Sequence, residues 1–206
     1  MKKTKTSYLL KGTPSILLVL GAGFVMASSA DIRAALGMGA AVLVSMLLSS
    51  VVVSALHKII PAYAKLPAYL MIITGFVSII GMLMQAWVPD VVEMLGVHLA
   101  TLAVSAVIYR DAEEVADHNG EMTSIKTALV TGVFFTVIMV VCALIREVLG
   151  SATIWGQPIE FLADYKVTAL AGAFGGYLVL AIVMAVINKI TGLHHHLDES
   201  AEKEDK

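Results

Sequence analysis

Four hydroxyl residues, Ser28, Ser29, Thr101 and Ser105, stand in or beside two apolar stretches that are too short or too glycine-broken for ordinary membrane helices. Their oxygens suit two jobs: holding a small hard cation, or hydrogen-bonding the backbone groups that a broken helix leaves open. The second job is the plainer one and is preferred. Gly21 and Gly23 lie in the first of these stretches, within Leu20-Gly21-Ala22-Gly23-Phe24. Ionisable residues beside apolar stretches are functional candidates because burying charge is costly. Asp31 and Arg33 follow the first stretch, and Arg146 and Glu147 end the fifth. All four are read as interfacial anchors whose charged ends reach water. The single cysteine, Cys142, rules out an internal disulfide and is read as an inert core thiol. His194, His195 and His196 adjoin one another, a spacing that fixes no coordination geometry, so no metal function is expected of them. The sequence has no phosphate-binding glycine loop, catalytic triad, metalloprotease motif or haem-attachment motif. No catalytic residue and no nucleic-acid partner are therefore expected.

The elements that must position these residues are membrane spans. Hydrophobic residues make up 58% of the 206 and charged residues 15%, a balance that a soluble domain of this size does not solvate. Between Arg33 and His57 lie 23 uncharged residues, 24 run from Leu66 to Pro89, Lys126 and Arg146 enclose 19, and Lys166 and Lys189 enclose 22. Each is long enough to cross about 30 Å of hydrocarbon at roughly 1.5 Å per residue. The first stretch, Ser15 to Ala30, is interrupted by Gly21-Ala22-Gly23, and the fourth, Met94 to Tyr109, has 16 residues between Glu93 and Arg110. Lys and Arg divide eleven to three across six crossings, with Arg33, Arg146 and Lys166 on the poorer side, which places both termini in the cytoplasm. The basic start, Met1 to Gly12, shows no cleavage site and is read as a retained N-terminus.

Ala35-Leu36-Gly37-Met38-Gly39 and Ala128-Leu129-Val130-Thr131-Gly132 open the second and fifth stretches alike, at an offset of 93 residues. Each follows a short stretch and precedes a full span, and three crossings per half make the second copy inverted. The expected fold is an all-α membrane protein of six transmembrane helices in two inverted three-helix repeats, the first and fourth being half-helices. Residues 1–13 form a cytoplasmic N-terminus, 14–190 the membrane domain with repeats at about 14–89 and 94–190, and 191–206 a disordered cytoplasmic tail. Gly37, Gly39 and the Gly172-Ala173-Phe174-Gly175-Gly176 run are expected at close helix contacts. The acidic run Arg110 to Ser124 is expected as a solvated connector. A cation or cofactor site, if the chain has one, falls where the broken stretches meet at the midplane: Gly21, Gly23, Ser28, Ser29, Thr101 and Ser105.

Three segments resemble one family: Leu66-Pro67-Ala68-Tyr69-Leu70-Met71-Ile72-Ile73; Ile145-Arg146-Glu147-Val148-Leu149-Gly150-Ser151-Ala152-Thr153-Ile154; and Gly172-Ala173-Phe174. They look like the D subunit of the sodium-pumping NADH:quinone reductase and its counterpart, the E subunit of the Rnf ferredoxin:NAD oxidoreductase, from about Pro14 to Ile190. The resemblance implies two inverted three-helix repeats and pairing with an inverted sister subunit. It also implies a midplane 2Fe-2S cluster held by one cysteine from each half-helix of both subunits. The cluster would relay electrons between flavin and iron-sulfur carriers and drive Na⁺ or H⁺ across a bacterial or archaeal cytoplasmic membrane. This chain departs from the pattern at the cluster: Gly23 stands at the first cysteine position and Ala106 at the second. Cluster irons take soft thiolate ligands, which glycine and alanine do not offer.

The resemblance thus implies a non-catalytic membrane subunit of an Rnf- or Nqr-like complex that binds no cofactor through its own cysteines. Flavins and iron-sulfur clusters are expected in partner subunits. A cluster-free inverted-repeat transporter of an ion or solute, and a purely structural paralogue, remain as alternatives.

Overall fold

The computed structural model describes residues 21, 31–113, 121–155, 157–158, 170 and 172–191. The first helix of this part, α1 (Ile32–Leu56), occupies the expected second stretch. Asp31, in extended conformation, begins it by accepting the Arg33 N–H at 2.8 Å. Its buried residues recur at helical spacing, from Ala34 and Ala35 through Met38, Val42, Ser45, Met46, Ser49 and Ser50 to Val53. α2 (Lys65–Trp87) carries Pro67 in its first turn, where a missing N–H costs no helical bond. It buries only the stripe Tyr69, Ile73, Val77 and Ile80 and exposes Met71, Met82 and Trp87, which suits a lipid-facing helix.

Val88 ends α2 and Pro89 opens α3 (Pro89–Leu95), where the proline ring presets helical φ. Gly96 stops α3 at φ 52°, ψ −132°, a conformation that glycine adopts without a Cβ clash. The chain resumes as α4 (Val97–Thr101), tightens into a 3₁₀ turn (Leu102–Val104), extends at Ser105 (φ −67°, ψ 120°) and re-forms as α5 (Ala106–Asp111). Between 89–95 and 97–111 the axis bends by 77°.

α6 (Glu121–Arg146) runs into a π-helical turn (Glu147–Ser151), closed by Ala152 in the left-handed region. An antiparallel ladder of two-residue strands follows, β1 (Thr153–Ile154) with β2 (Gln157–Pro158), so the described chain is helical apart from this clip. α7 (Ala173–Thr191) completes it. Among the described residues three helices are long and apolar enough to cross a membrane, and four spans are present if the bent pair counts as one.

The core is built on the pairing of α1 with α6, the most extensive contact in the described structure. Thr136 donates its hydroxyl to the Gly39 carbonyl at 3.2 Å, and a Cβ on Gly132 would lie 3.2 Å from the Leu43 Cα. Residue numbers rise on one helix as they fall on the other, so the helices are antiparallel. Gly132 is Gly39 shifted by 93 residues, and Thr136 is Leu43 shifted by 93; each contact is the other with its partners exchanged. Gly37 serves as a close-packing site too, since a Cβ there would run into the Val91 side chain of α3, and one on Gly175 would run into the Leu170 backbone.

The expected solvated connector is corrected at both ends. Asp111 is buried at the end of α5, and Ser124 is wholly buried inside α6, because the helices continue past the apolar stretches that define them in sequence. Residues 114–120 lie outside the described part, as do residues 1–13 and the tail after Thr191.

Candidate functional site where the broken stretches meet

Gly21, in the first broken stretch, is buried against α6 and α5: a Cβ there would run into the Phe135 ring and lie 3.4 Å from Val107 Cγ2. Glycine at this position is what lets the segment come so near. Val107 follows Ala106, so the first and fourth stretches of the sequence do come together, beside the middle of α6. Ser105 is buried in the extended break before α5, and its hydroxyl does not cap that helix. Ala106, the first residue of α5, is exposed on the isolated chain. Thr101 donates to the His98 carbonyl at 2.8 Å, the backbone-satisfying role expected of it. Gly23, Ser28 and Ser29 lie outside the described residues.

Cys142 is fully buried in α6, seven residues beyond Phe135. At roughly 1.5 Å per residue it sits about 10 Å along the helix axis from the meeting point. It is therefore poorly placed to replace a ligand at Ala106. The positions that the resemblance assigns to a 2Fe-2S cluster offer backbone and a methyl group, which do not fit cluster iron.

The ionisable residues at the far end of α6 differ from their sequence reading. Arg33 fits an anchor: it donates to the Trp155 carbonyl at 3.0 Å, and its guanidinium lies 5.7 Å from the Trp155 ring centroid. Arg146 and Glu147 are instead buried and tie elements together. Arg146 donates to the carbonyls of Leu170 and Gly172, each at 3.2 Å, which anchors the approach to α7. Glu147 accepts the Ile32 N–H at 2.9 Å and the Thr153 hydroxyl at 3.5 Å. With Asp31 on Arg33 N–H, two carboxylates satisfy the first turn of α1 and complement its dipole. Anchoring with the charged ends in water fails for this pair because both side chains are buried on partners in neighbouring elements, Glu147 on the start of α1 and Arg146 on the carbonyls before α7.

A second polar group has no counterpart among the sequence expectations. Ser50 in α1 donates to Asp111 Oδ2 at 2.6 Å, with both residues buried, and Ser45, Ser49 and Ser54 lie buried on the same helix. The spacing of those serines inside an uncharged span was the available signal; the partner was not, since Asp111 sits in an acidic run.

The sequence matches the family described as "Rnf-Nqr subunit, membrane protein" over residues 1–192. The chain belongs to the Rnf-Nqr subunit family of membrane proteins. It is 33% identical to the E subunit of the Na(+)-translocating ferredoxin:NAD(+) oxidoreductase complex of Acetobacterium woodii, across 90% of this chain and 95% of that one. It is 31% identical to the E subunit of the ion-translocating oxidoreductase complex of Methanosarcina acetivorans, across 87% of this chain and 86% of the relative. A 38% identity to the corresponding subunit of Rhodobacter capsulatus covers 63% of this chain and 54% of that protein.

Proposed function

We propose that this chain is a membrane subunit of a redox-driven, ion-translocating complex of the Rnf/Nqr type, paired with an inverted sister subunit, and that it gives no cysteine to a cluster between them. The observation that carries the reading is the approach of Gly21 to Val107 beside Phe135: the two broken stretches meet where such a pair would share a site. The inverted-repeat arrangement, with half-helices first and fourth, is supported by the exchange of partners at the α1–α6 crossing and by the 77° bend near Gly96. Exposure of Ala106 on the isolated chain suits a face that a sister subunit covers. In this reading electron transfer belongs to flavins and iron-sulfur clusters of partner subunits. The chain shapes the path of Na⁺ or H⁺ in a bacterial or archaeal cytoplasmic membrane, with both termini cytoplasmic.

The test is purification of the chain from native membranes, with subunit identification and metal analysis. Flavin-bearing and ferredoxin-like subunits should co-purify, and the chain expressed alone should carry no iron. A 2Fe-2S signal from the isolated chain that survives Cys142→Ser would overturn the lost-ligand claim. Solute transport by the isolated chain in liposomes, with no redox partners recovered from membranes, would favour the cluster-free transporter.

A further inference from the structure

The turn that joins α1 to α2 is apolar where a connector in water would be polar. Between Leu56 and Lys65 the chain reads His57-Lys58-Ile59-Ile60-Pro61-Ala62-Tyr63-Ala64, and Ile59 and Tyr63 are 80% and 90% exposed. Leu56 and Leu66 on either side are exposed too. The turn satisfies much of its own backbone. His57 N–H donates to the Val53 carbonyl at 2.8 Å, Ile59 N–H to the Leu56 carbonyl at 2.9 Å, and Ala64 N–H to the Pro61 carbonyl at 2.9 Å, which closes a 3₁₀ turn (Ala62–Ala64). The His57 ring adds a bond from Nδ1–H to the Ser54 carbonyl at 2.7 Å. Donors paired in this way need no water, so the turn can enter a layer where water is scarce.

The flanking helices fix which layer that is. Both α1 and α2 are long and apolar enough to cross a membrane, and the eight residues between them hold the turn at its surface. Trp87, 81% exposed, closes the far end of α2. It comes 24 residues after Tyr63, about 36 Å at roughly 1.5 Å per residue, so the two rings straddle about 30 Å of hydrocarbon and fall in opposite headgroup layers. Charge then selects the lipid: no acidic residue occurs between Asp31 and Asp90, whereas the turn brings Lys58, exposed, and Lys65.

We propose that residues 57–66 lie in the headgroup layer of the bilayer and bind an anionic phospholipid there, Ile59 and Tyr63 entering the acyl boundary while Lys58 and Lys65 meet the phosphate. A lysine stem lies along apolar surroundings as its ammonium reaches the headgroup, and each lysine near a membrane surface strengthens attraction to anionic lipid about fivefold. Apolar exposure continues along α2 from Leu66 through Met71 and Met82 to Trp87, a length that lipid covers and a soluble acidic partner does not reach. The turn meets lipid whether or not redox subunits join the chain, because its place depends only on α1 and α2 crossing the membrane.

The experiment uses the full chain with its two tryptophans replaced, Trp87→Phe and Trp155→Phe, and a reporter introduced by Tyr63→Trp. It is reconstituted in vesicles of phosphatidylcholine and phosphatidylglycerol, one or the other brominated high on its acyl chains. Both brominated lipids should quench the reporter, phosphatidylglycerol about fivefold or more effectively by mole fraction. Lys58→Gln should lower that preference about fivefold, and Lys58→Arg should retain it. Quenching by aqueous iodide with none from lipid would put the turn in water and overturn the proposal. Equal quenching by the two lipids overturns it as well, as does a preference that Lys58→Gln leaves unmoved. In native membranes a photo-crosslinking residue at position 63 should yield phospholipid adducts. Crosslinks to another subunit, or to this chain's own acidic run from Arg110 to Ser124, would show that protein covers the turn and would overturn the lipid assignment.

Discussion

The α1–α6 crossing and the segment from Pro89 to Asp111 treat their backbones in opposite ways. At the crossing, Gly39 and Gly132 bring two continuous helices together while every helical turn stays closed. In the other segment Gly96 and Ser105 break the helix twice within 23 residues, and the pieces pack against α1 and α2 instead of running through. Lipid offers no partner to an open N–H or carbonyl, so such breaks persist where protein or a polar cavity covers them. The contrast sets close packing of continuous helices at the crossing against protein-covered backbone breaks in the other segment.

The sharpest way to break this division is to fill the crossing. Gly132→Leu would drive a side chain into the Leu43 backbone, which has no flexible end to swing aside. Overpacking of this kind costs roughly 1–3 kcal/mol or more, and we expect at least that loss of thermal stability in detergent. Gly39→Ala, facing the Thr136 side chain, should cost less. Equal stability of Gly132→Leu and parent would mean that the two helices are not held at close approach.

Next in size is the tie between the far end of α6 and the start of α1. Glu147→Ala removes the acceptor of the Ile32 N–H, and hydrogen bonds to charged groups contribute about 1.5–3 kcal/mol. Glu147→Gln keeps an oxygen acceptor and should lose about half as much. Thermal melts of the two variants check this: an alanine variant no less stable than the glutamine one would show that the carboxylate is not the cap. Then comes Gly96→Ala, which forces a Cβ onto φ 52°, at a cost of about 1–2 kcal/mol. Because that strain falls at a break, the expected signature is local: faster amide exchange through 89–104 with α1 and α6 still protected.

Uncharged length marked three spans in the sequence: α1 and α2 follow their charge-free runs closely, while α6 also runs back past Lys126 to Glu121; the run between Lys166 and Lys189 shows, among the described residues, the shorter apolar helix α7. The break in the fourth stretch was legible as shortness, although its position was not. Gly96 and Ser105 do the breaking, and neither stands out until φ and ψ are known. The offset of 93 was legible as a weak Ala-Leu-x-x-Gly echo, and the crossing gives it physical content. Arg146 and Glu147 were misread because charge next to an apolar run looks the same whether it faces water or is buried on partners far along the chain. The Ser50–Asp111 pair was not legible at all, since a contact across 61 residues leaves no periodic trace.

The smallest effect tests what holds the crossing. Thr136 donates to the Gly132 carbonyl in its own helix at 2.8 Å and to the Gly39 carbonyl across the interface at 3.2 Å. Thr136→Val keeps the shape and removes both. Gly39 and Gly132 sit inside continuous helices whose carbonyls accept backbone N–H groups as well, so the substitution strips no acceptor of its last partner. The loss should therefore fall at or below about 1 kcal/mol, the net worth of an ordinary hydrogen bond. A Thr136→Val variant as unstable as Gly132→Leu would reverse the comparison. The hydroxyl would then hold α1 and α6 together as strongly as the bare backbone at the two glycines does.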